Sequence, residues 1–239
     1  HCNMKDNFQT LKGFRDFLPA EAAARQEVFS KIRTVFETYG FLPLETPALE
    51  YKEILSGKYG QEGDKLMYSF ADQGGREVAM RYDLTVPLAR VMAQYQNELP
   101  MPFKRYQIAP VWRADRPQKG RYREFTQCDI DIVGTPSIFA DADVIASLNN
   151  ALRSLGIGDA IVRINNRKFL DGLMKAAGIE TNKAPAVLRI LDKLDKMGEQ
   201  KVKEELALVG VNTKQRQALF QSLNESFEDI KDFVTKFED

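Results

Sequence analysis

The sequence is poor in the residues that most often form catalytic dyads, metal sites and cross-links, with one His, two Cys and one Trp in 239 residues. Because the only histidine is His1, a Ser–His–Asp triad, a Cys–His pair, an HExxH motif and a His-ligated metal are excluded. Cys2 and Cys128 are too few for a disulfide framework or a Cys-rich zinc site. If this protein is an enzyme, it must therefore work by positioning and charge rather than by imidazole chemistry.

Net charge and long apolar runs are also absent. The 34 Lys and Arg residues balance the 34 Asp and Glu residues, so only a local basic patch could attract a nucleic acid. No apolar run reaches the length of a membrane span, and the N-terminus lacks the apolar core of a signal peptide. We therefore expect no membrane association and a cytoplasmic location. Residues 1–3 are interpreted as a non-native remnant ahead of a natural start at Met4.

The hydrophobic pattern predicts an α+β body that is followed by a helical segment. Helices are predicted over residues 20–39, 86–97 and 139–155, and strands over 41–47, 65–71, 76–83, 103–114, 123–133 and 159–165. From residue 168 onward only helical periodicity and high charge remain. The chain is long enough for one large domain with an appendage, and we predict domains over residues 4–167 and 168–239.

The loop between the two longest predicted strands carries a basic cluster. Five basic residues fall within eleven positions around a Pro-Gly loop, namely Arg113, Arg116, Lys119, Arg121 and Arg123. Arginine suits polyphosphate oxygens because its planar fork binds two oxygens at once and stays protonated. Arg113 ends a strand, which gives it a rigid base for contacting an α-phosphate, and Phe125 offers a flat surface for a purine. The alternative for the loop is a flexible, solvated turn.

Alternation along these two strands separates an apolar face from a polar one. The polar face collects Arg105, Gln107, Arg113, Gln127, Asp129 and Asp131. Such a face is ordinarily solvated. The alternative is a pocket in which Asp83, Asp131 and Asp129 hold an ammonium and a polar side chain, which beside a polyphosphate site would suit amino-acid activation. From the residues alone, Asp83 is more simply a cap for the helix that begins near Thr85.

Several segments together resemble class II aminoacyl-tRNA synthetases, and specifically the histidyl-tRNA synthetase family. Residues 40–50 are similar to motif 1, residues 81–87 to the amino-acid-binding strand end, and residues 113–134 to motif 2. Residues 116–125 are close to the histidine-specific form of motif 2, and the segments 164–167 and 191–198 also resemble the family. The resemblance extends over about residues 8–220.

The resemblance implies a class II antiparallel sheet flanked by helices, with the C-terminal helical segment as an insertion domain that approaches the tRNA acceptor end. It implies ATP and Mg²⁺ as co-substrates, L-histidine and tRNA(His) as substrates, and a homodimer formed through motif 1. The implied reaction is activation of histidine to histidyl-adenylate, followed by transfer of the histidyl group to the tRNA.

The same resemblance implies the roles of individual residues. Arg113 would be catalytic, at the α-phosphate, and no residue is assigned to a metal. Histidine binding is assigned to Asp83, Leu84, Thr85, Arg113, Gln127 and Asp131, and ATP binding to Arg113, Asp115, Arg121, Tyr122 and Phe125. Within this pattern the pairing of Asp83 with Asp131 favours a ligand role for Asp83 over a helix cap.

The sequence also departs from the family pattern. The family continues with an Arg-Gly-x-Asp-Tyr-Tyr segment, then motif 3 with a second ATP-binding arginine, then an anticodon-binding domain, and none of these is present. Loss of one charge-stabilising donor typically lowers a rate by on the order of 10²–10³. We therefore expect this chain by itself to be nearly inactive in aminoacylation.

Three alternatives remain open at this point. The first is a non-catalytic, histidine-sensing regulatory subunit of ATP phosphoribosyltransferase, against which the retained Arg113, Arg116, Arg121 and Phe125 argue. The second is a class II enzyme for another amino acid, since motifs 1 and 2 occur across the class. The third is an α+β domain whose basic loop serves protein contacts.

Overall fold

The computed structural model describes residues 9–56, 67–158, 160–162 and 166–224. The chain divides between residues 162 and 163 into two compact units. The first contains helices and two three-stranded sheets, and the described part of the second contains only helices, so the predicted α+β class is confirmed. No helix within the described ranges has the length and apolar character needed to cross a bilayer.

The first unit alternates short strands with helices. Its helices are α1 (Pro19–Thr38), α2 (Lys52–Ser56), α3 (Thr85–Tyr95) and α4 (Ile138–Ser154). Its strands are β1 (Leu42–Pro43), β2 (Leu49–Tyr51), β3 (Ser69–Ala71), β4 (Glu77–Met80), β5 (Phe103–Trp112) and β6 (Glu124–Val133). The three long predicted helices and the hairpin of β3 with β4 are confirmed, although residues 65 and 66 lie outside the described part.

Two predicted strands differ from the structure. The strand expected over residues 41–47 is reduced to the two residues of β1, because Pro43 and Pro47 have no N–H with which to extend a ladder. The strand expected over residues 159–165 is not formed at residues 160–162. The other positions of that prediction lie outside the described residues.

The hairpin of β5 and β6 is the main element of the first unit. The two strands pair antiparallel over their full length, from Phe103 opposite Val133 to Trp112 opposite Glu124. β1 adds to β5 in parallel, and a second sheet has the antiparallel order β2-β4-β3. On one face of the hairpin, Tyr106 packs in a buried cluster with Phe36 of α1, Phe41 and Ala151 of α4. The opposite face of the hairpin therefore carries the polar residues.

The second unit is a helical body with its own core. Its helices are α5 (Arg167–Ala176), α6 (Ala184–Leu191), α7 (Leu194–Met197), α8 (Glu199–Leu208) and α9 (Thr213–Asn224), with a 3₁₀ turn at Thr181–Lys183. Every helix except the short α7 contributes buried apolar side chains to one cluster, among them Leu173, Val187, Val202, Leu206 and Leu219. A continuous apolar core of this kind can order the unit without help from a sheet.

The core of the helical unit should depend on Leu206. This side chain is fully buried on α8, whereas Leu208, two residues further along the same helix, is 87% exposed. Leu206→Ala should lower the free energy of unfolding of this unit by about 2–5 kcal/mol, because it removes buried methyl groups and leaves a cavity. Leu208→Ala is the matched control, with an expected change within about 0.5 kcal/mol. Urea unfolding followed by circular dichroism measures both, and equal effects would contradict this packing.

Candidate active site

The register of the β5–β6 hairpin assembles a polar cluster on one face. Arg105 lies opposite Asp131, and Gln107 lies opposite Asp129. Gln127, two residues before Asp129, falls on the same face because side chains alternate along a strand. Five polar side chains from distant points in the sequence are thus brought onto one surface.

The β5 side of the cluster is buried rather than solvated, whereas its β6 side is half-buried. Arg105 has no exposed surface, its Nη2 lies 2.6 Å from Asp131 Oδ2, and the same nitrogen donates to the Leu84 carbonyl oxygen at 3.2 Å. Gln107 is also buried and donates from Nε2 to Thr46 Oγ1 at 3.1 Å. The expectation of a solvated face is therefore wrong, because segments outside the hairpin lie over it.

Residues 81–84 form one of these covering segments, and hydrogen bonds from two arginines hold this segment in place. Arg81 is buried and donates from Nη1 to the Thr46 carbonyl oxygen at 2.6 Å and from Nε to the Pro110 carbonyl oxygen at 3.0 Å. At the end of β5, Arg113 donates from Nε to the Tyr82 carbonyl oxygen at 3.0 Å. The backbone that leads into α3 is thereby held against the end of the hairpin.

Asp83 lies at the start of α3, as expected for a helix cap, and its side chain also lies near the polar cluster. Its Oδ1 accepts a hydrogen bond from the Val86 N–H at 3.0 Å, so it does cap the start of α3. Its side chain is also buried, and its negative charge acts on Arg105 and Asp129 across the cluster. Next to it, Leu84 is fully buried and Thr85 is exposed. A histidine-binding role for Asp83, Leu84 and Thr85 stays a prediction.

Two charged groups of the cluster have perturbed acidities. Burial raises the pKa of the Asp129 carboxyl above its ordinary value, while the positive charge of Arg105 acts to lower it; the negative charges of Asp131 and Asp83 add to the increase. Burial lowers the pKa of Arg105, against the opposing influence of the same three carboxylates. The cluster is therefore a set of crowded like charges around one buried cation.

Two acceptor atoms of the cluster have no protein partner among the described residues. They are Oε1 of Gln107 and Oε1 of Gln127, and both are buried. A buried acceptor without a donor costs roughly 1–3 kcal/mol. An ammonium or imidazole N–H that entered here would supply the missing hydrogen bond, and Asp131, whose side chain is 33% exposed, remains open to such a ligand.

Arg113 and Phe125 lie together at the far end of the hairpin. The guanidinium carbon of Arg113 is 5.0 Å from the centre of the Phe125 ring, and both side chains are half-buried. The hydrogen bond to Tyr82 uses only Nε, so it leaves the two terminal nitrogens of the guanidinium for other acceptors. This arrangement offers a charged fork beside a flat aromatic surface, and the roles of the two residues toward an α-phosphate and a purine stay predictions.

The loop that follows Arg113 is held by contacts between its own residues. Arg121 lies 2.6 Å from the Asp115 carboxylate, and Arg123 donates from Nε to the Asp115 carbonyl oxygen at 3.1 Å. Arg116 and Lys119 are exposed. The structure thus places Asp115 and Arg121 together, in an ordered loop that keeps two cations directed to solvent rather than to the protein core.

Sequence reasoning missed the contact between this loop and the N-terminal lead-in. The Arg123 N–H donates to the Gly13 carbonyl oxygen at 2.8 Å, and Gly13 has φ +91°. A Cβ at Gly13 would come within 2.9 Å of Arg123 Cγ, so only glycine fits without displacement. Arg15 stacks on the Tyr122 ring at 3.3 Å from its centre. In the sequence, this contact could have been indicated only by Gly13 and Arg15, which lie in a segment without helical or strand periodicity.

Comparison with known proteins decides the family. A sequence model described as Histidyl-tRNA synthetase matches residues 13–238. The chain belongs to the histidyl-tRNA synthetase family. A protein of Rhodopirellula baltica named histidine–tRNA ligase is 49% identical over 214 residues, which is 89% of this chain and 48% of that protein.

Solved structures of the histidyl-tRNA synthetase family have the same fold. The crystal structure of histidyl-tRNA synthetase from Nostoc sp. PCC 7120 is 38% identical with a TM-score of 0.86, and the match covers 97% of this chain and 52% of that one. An ATP phosphoribosyltransferase regulatory subunit/histidyl-tRNA synthetase from Bacillus halodurans, 24% identical with a TM-score of 0.74 over 90% of this chain and 55% of its own, shares the fold alone. This chain spans about half the length of the curated relatives it matches.

The raised pKa of Asp129 predicts a pH-dependent effect on the stability of this family member. Because the folded state holds the Asp129 proton to higher pH than the unfolded chain does, stability falls as pH rises above the ordinary value of 3.8. Asparagine resembles the protonated form, so Asp129→Asn should become more stable than the wild type as pH rises from about 3 to 7.

A control of opposite sign is available at Asp72. Hydrogen bonds from Arg76 lower the pKa of the Asp72 carboxyl, so Asp72→Asn should become less stable than the wild type over the same pH interval. Urea unfolding at several pH values measures both differences. The assignment of Asp129 to a buried, crowded site would be refuted by a stability loss in Asp129→Asn that grows with pH.

Proposed function

We propose that this protein acts as a histidine–tRNA ligase, which activates L-histidine with ATP and transfers the histidyl group to tRNA(His). The observation that carries the proposal is the polar face of β5–β6. It presents carboxylate and amide acceptors around Asp131 at one end and the Arg113–Phe125 pair at the other. Membership of the histidyl-tRNA synthetase family supports the same activity.

The acceptor end of the face fits the two cationic or donor groups of histidine. Its free acceptors include Gln127 Oε1, and the carboxylates of Asp83 and Asp131 bring negative charge to the same region. An α-ammonium and an imidazole N–H are donors, so both would be satisfied in this environment. We propose that Asp83, Leu84, Thr85, Arg113, Gln127 and Asp131 form the histidine site.

The other end of the face fits ATP. In the proposed reaction a histidine carboxylate oxygen bonds to the α-phosphorus of ATP while the bond from that phosphorus to the pyrophosphate oxygen breaks. Such a step needs alignment and stabilisation of developing negative charge, which Arg113 can supply without an acid–base residue. We propose that Phe125 stacks on the adenine, and that Asp115, Arg121 and Tyr122 complete the ATP site.

Mg²⁺ belongs to the proposal only as a companion of ATP. Among the described residues, no group of three His, Cys, Asp or Glu side chains is arranged to hold a metal ion. Mg²⁺ is commonly bound through one or two carboxylates together with substrate phosphates, so such a cage is not required. When bound, the ion would supply charge neutralisation at the phosphates.

The remaining parts of the proposal follow from the family. We propose residues 4–167 as the catalytic core, residues 168–239 as the insertion domain that approaches the tRNA acceptor end, and the cytoplasm as the location. A homodimer formed through motif 1 is also proposed. It is supported by apolar side chains that are exposed near this segment in one chain, among them Leu42, Leu49 and Tyr51.

Amino-acid-dependent exchange between ATP and pyrophosphate tests the proposal. The assay should be run on the longest product of the gene and in parallel on residues 1–239. In the longest product we expect exchange with histidine and with no other amino acid, and Arg113→Ala should lower that rate by on the order of 10²–10³, whereas residues 1–239 should show little exchange. Arg76→Ala is the control, because Arg76 is an exposed arginine that pairs with Asp72 in the β3–β4 turn. Its rate should equal that of the wild type.

Other outcomes of this assay distinguish the alternatives. Exchange with a different amino acid would assign a different specificity. Absence of exchange in the longest product, together with measurable histidine binding, would instead favour the regulatory subunit of ATP phosphoribosyltransferase. Equal rates for Arg113→Ala and Arg76→Ala would remove Arg113 from the chemistry.

A further inference from the structure

Arg105 lies beneath the proposed histidine site and is assigned to neither substrate. Its side chain has no exposed surface, so a bound ligand cannot reach it without displacing protein. Its Nη2 contacts the Asp131 carboxylate at 2.6 Å and the Leu84 carbonyl oxygen at 3.2 Å. Both Asp131 and Leu84 belong to the proposed histidine site, so Arg105 contacts that site from behind.

We propose that Arg105 is a positioning residue for the amino-acid substrate, which fixes the Asp131 carboxylate and places a positive charge beside the aspartates of the site. This inference rests on the proposed function, since it concerns the same site. It adds a residue that contacts neither histidine nor ATP and acts only through Asp131 and the charges beside it.

Geometry supports the first part of this role. Asp131 sits opposite Arg105 in the β5–β6 register, so the backbone already brings the two side chains together. A charge-assisted contact of 2.6 Å then restricts the rotation of the Asp131 carboxylate. One carboxylate edge is used by Arg105, and the partly exposed remainder of the group can accept from a ligand. Arg105 therefore determines which way Asp131 faces.

Charge balance supports the second part. The charged groups that act on Asp129 include Arg105 on β5, Asp131 on β6, Asp83 before α3 and Arg113 at the end of β5. The negative charges of Asp131 and Asp83 disfavour ionisation of Asp129. Arg105 is the cation that acts on all three, and it opposes the burial that raises the pKa of Asp129. Without Arg105, the Asp129 carboxyl would hold its proton to still higher pH.

The Arg90–Glu50 pair provides a matched control. Arg90 Nη2 lies 2.8 Å from Glu50 Oε1, and the two side chains are 20% and 6% exposed. This is a second largely buried arginine–carboxylate pair in the same unit, away from the polar face of the hairpin. Its loss should affect stability in a similar way but should not alter substrate recognition.

The test compares Arg105→Met, Arg105→Lys and Arg90→Met by histidine-dependent ATP–pyrophosphate exchange at several pH values, on the longest product of the gene. Arg105→Met should raise KM for histidine by about 10- to 100-fold with KM for ATP unchanged, because hydrogen bonds to charged groups are strong. It should also move the acid limb of kcat/KM for histidine to higher pH. Arg105→Lys retains the charge, so its acid limb should stay at the wild-type position while KM rises less.

A second measurement does not depend on activity. The Asp carboxyl groups of residues 1–239, labelled with carbon-13, can be titrated by NMR in the wild type and in Arg105→Lys or Arg105→Met. The pKa of Asp129 should rise in Arg105→Met and change little in Arg105→Lys. If Arg105→Met does not fold, Arg105→Lys still tests the inference through its smaller rise in KM for histidine alone.

The outcomes separate this inference from the proposed function. If the wild type exchanges with histidine but Arg105→Met changes the KM values for histidine and ATP equally, as a purely structural defect would, or leaves the acid limb unmoved, Arg105 is merely structural and the inference is overturned. If the wild type shows no exchange at all, the proposed function fails. Independently of activity, an unchanged Asp129 pKa in Arg105→Met would overturn the role of Arg105 as the balancing charge.

Discussion

A guanidinium with no exposed surface persists in a folded protein only where opposite charges and hydrogen-bond acceptors compensate for its removal from water. In this chain that requirement falls on Arg105. Its Nη2 contacts Asp131 at 2.6 Å and the Leu84 carbonyl oxygen, and the charges of Asp83 and Asp129 lie nearby, whereas Nε and Nη1 have no hydrogen-bond partner among the described residues. The partners come from β6 and from the segment before α3. Burying one arginine thus requires that the hairpin be in register and that residues 81–84 lie over it.

The same arrangement separates charge along one face of the hairpin. Acidic and amide acceptors collect around Asp131, whereas Arg113 and the basic loop lie toward Phe125. In the proposed reaction, the residues of this face would contribute alignment and charges fixed in advance. A rigid ten-residue strand pair suits that task, because it fixes the distance between the two ends. The proposed functions of the two ends therefore depend on a single structural element.

Much of this arrangement could be predicted from the sequence, and the errors have physical causes. Alternation along β5 and β6 correctly grouped Arg105, Gln107 and Asp131 on one face, because period-two patterning depends only on backbone geometry. Burial of that face was not predictable, because it depends on Thr46 and on the segment at Tyr82, which are distant in sequence. The contact of Gly13 with Arg123 was not predicted either, because the two residues are also distant in sequence. Local pattern predicts which side chains share a face, but not what covers them.

The central claim of this account is that the acceptor end of the β5–β6 face binds histidine. An NMR titration of this chain with amino acids tests that claim most directly. Histidine should shift the side-chain amide of Gln127 and the carboxyl of Asp131 in a saturable manner. Leucine and glutamate share the α-ammonium but lack a side-chain donor that matches these acceptors, so they should shift both groups much less. The account is contradicted if histidine shifts neither group, or if all three amino acids shift them equally.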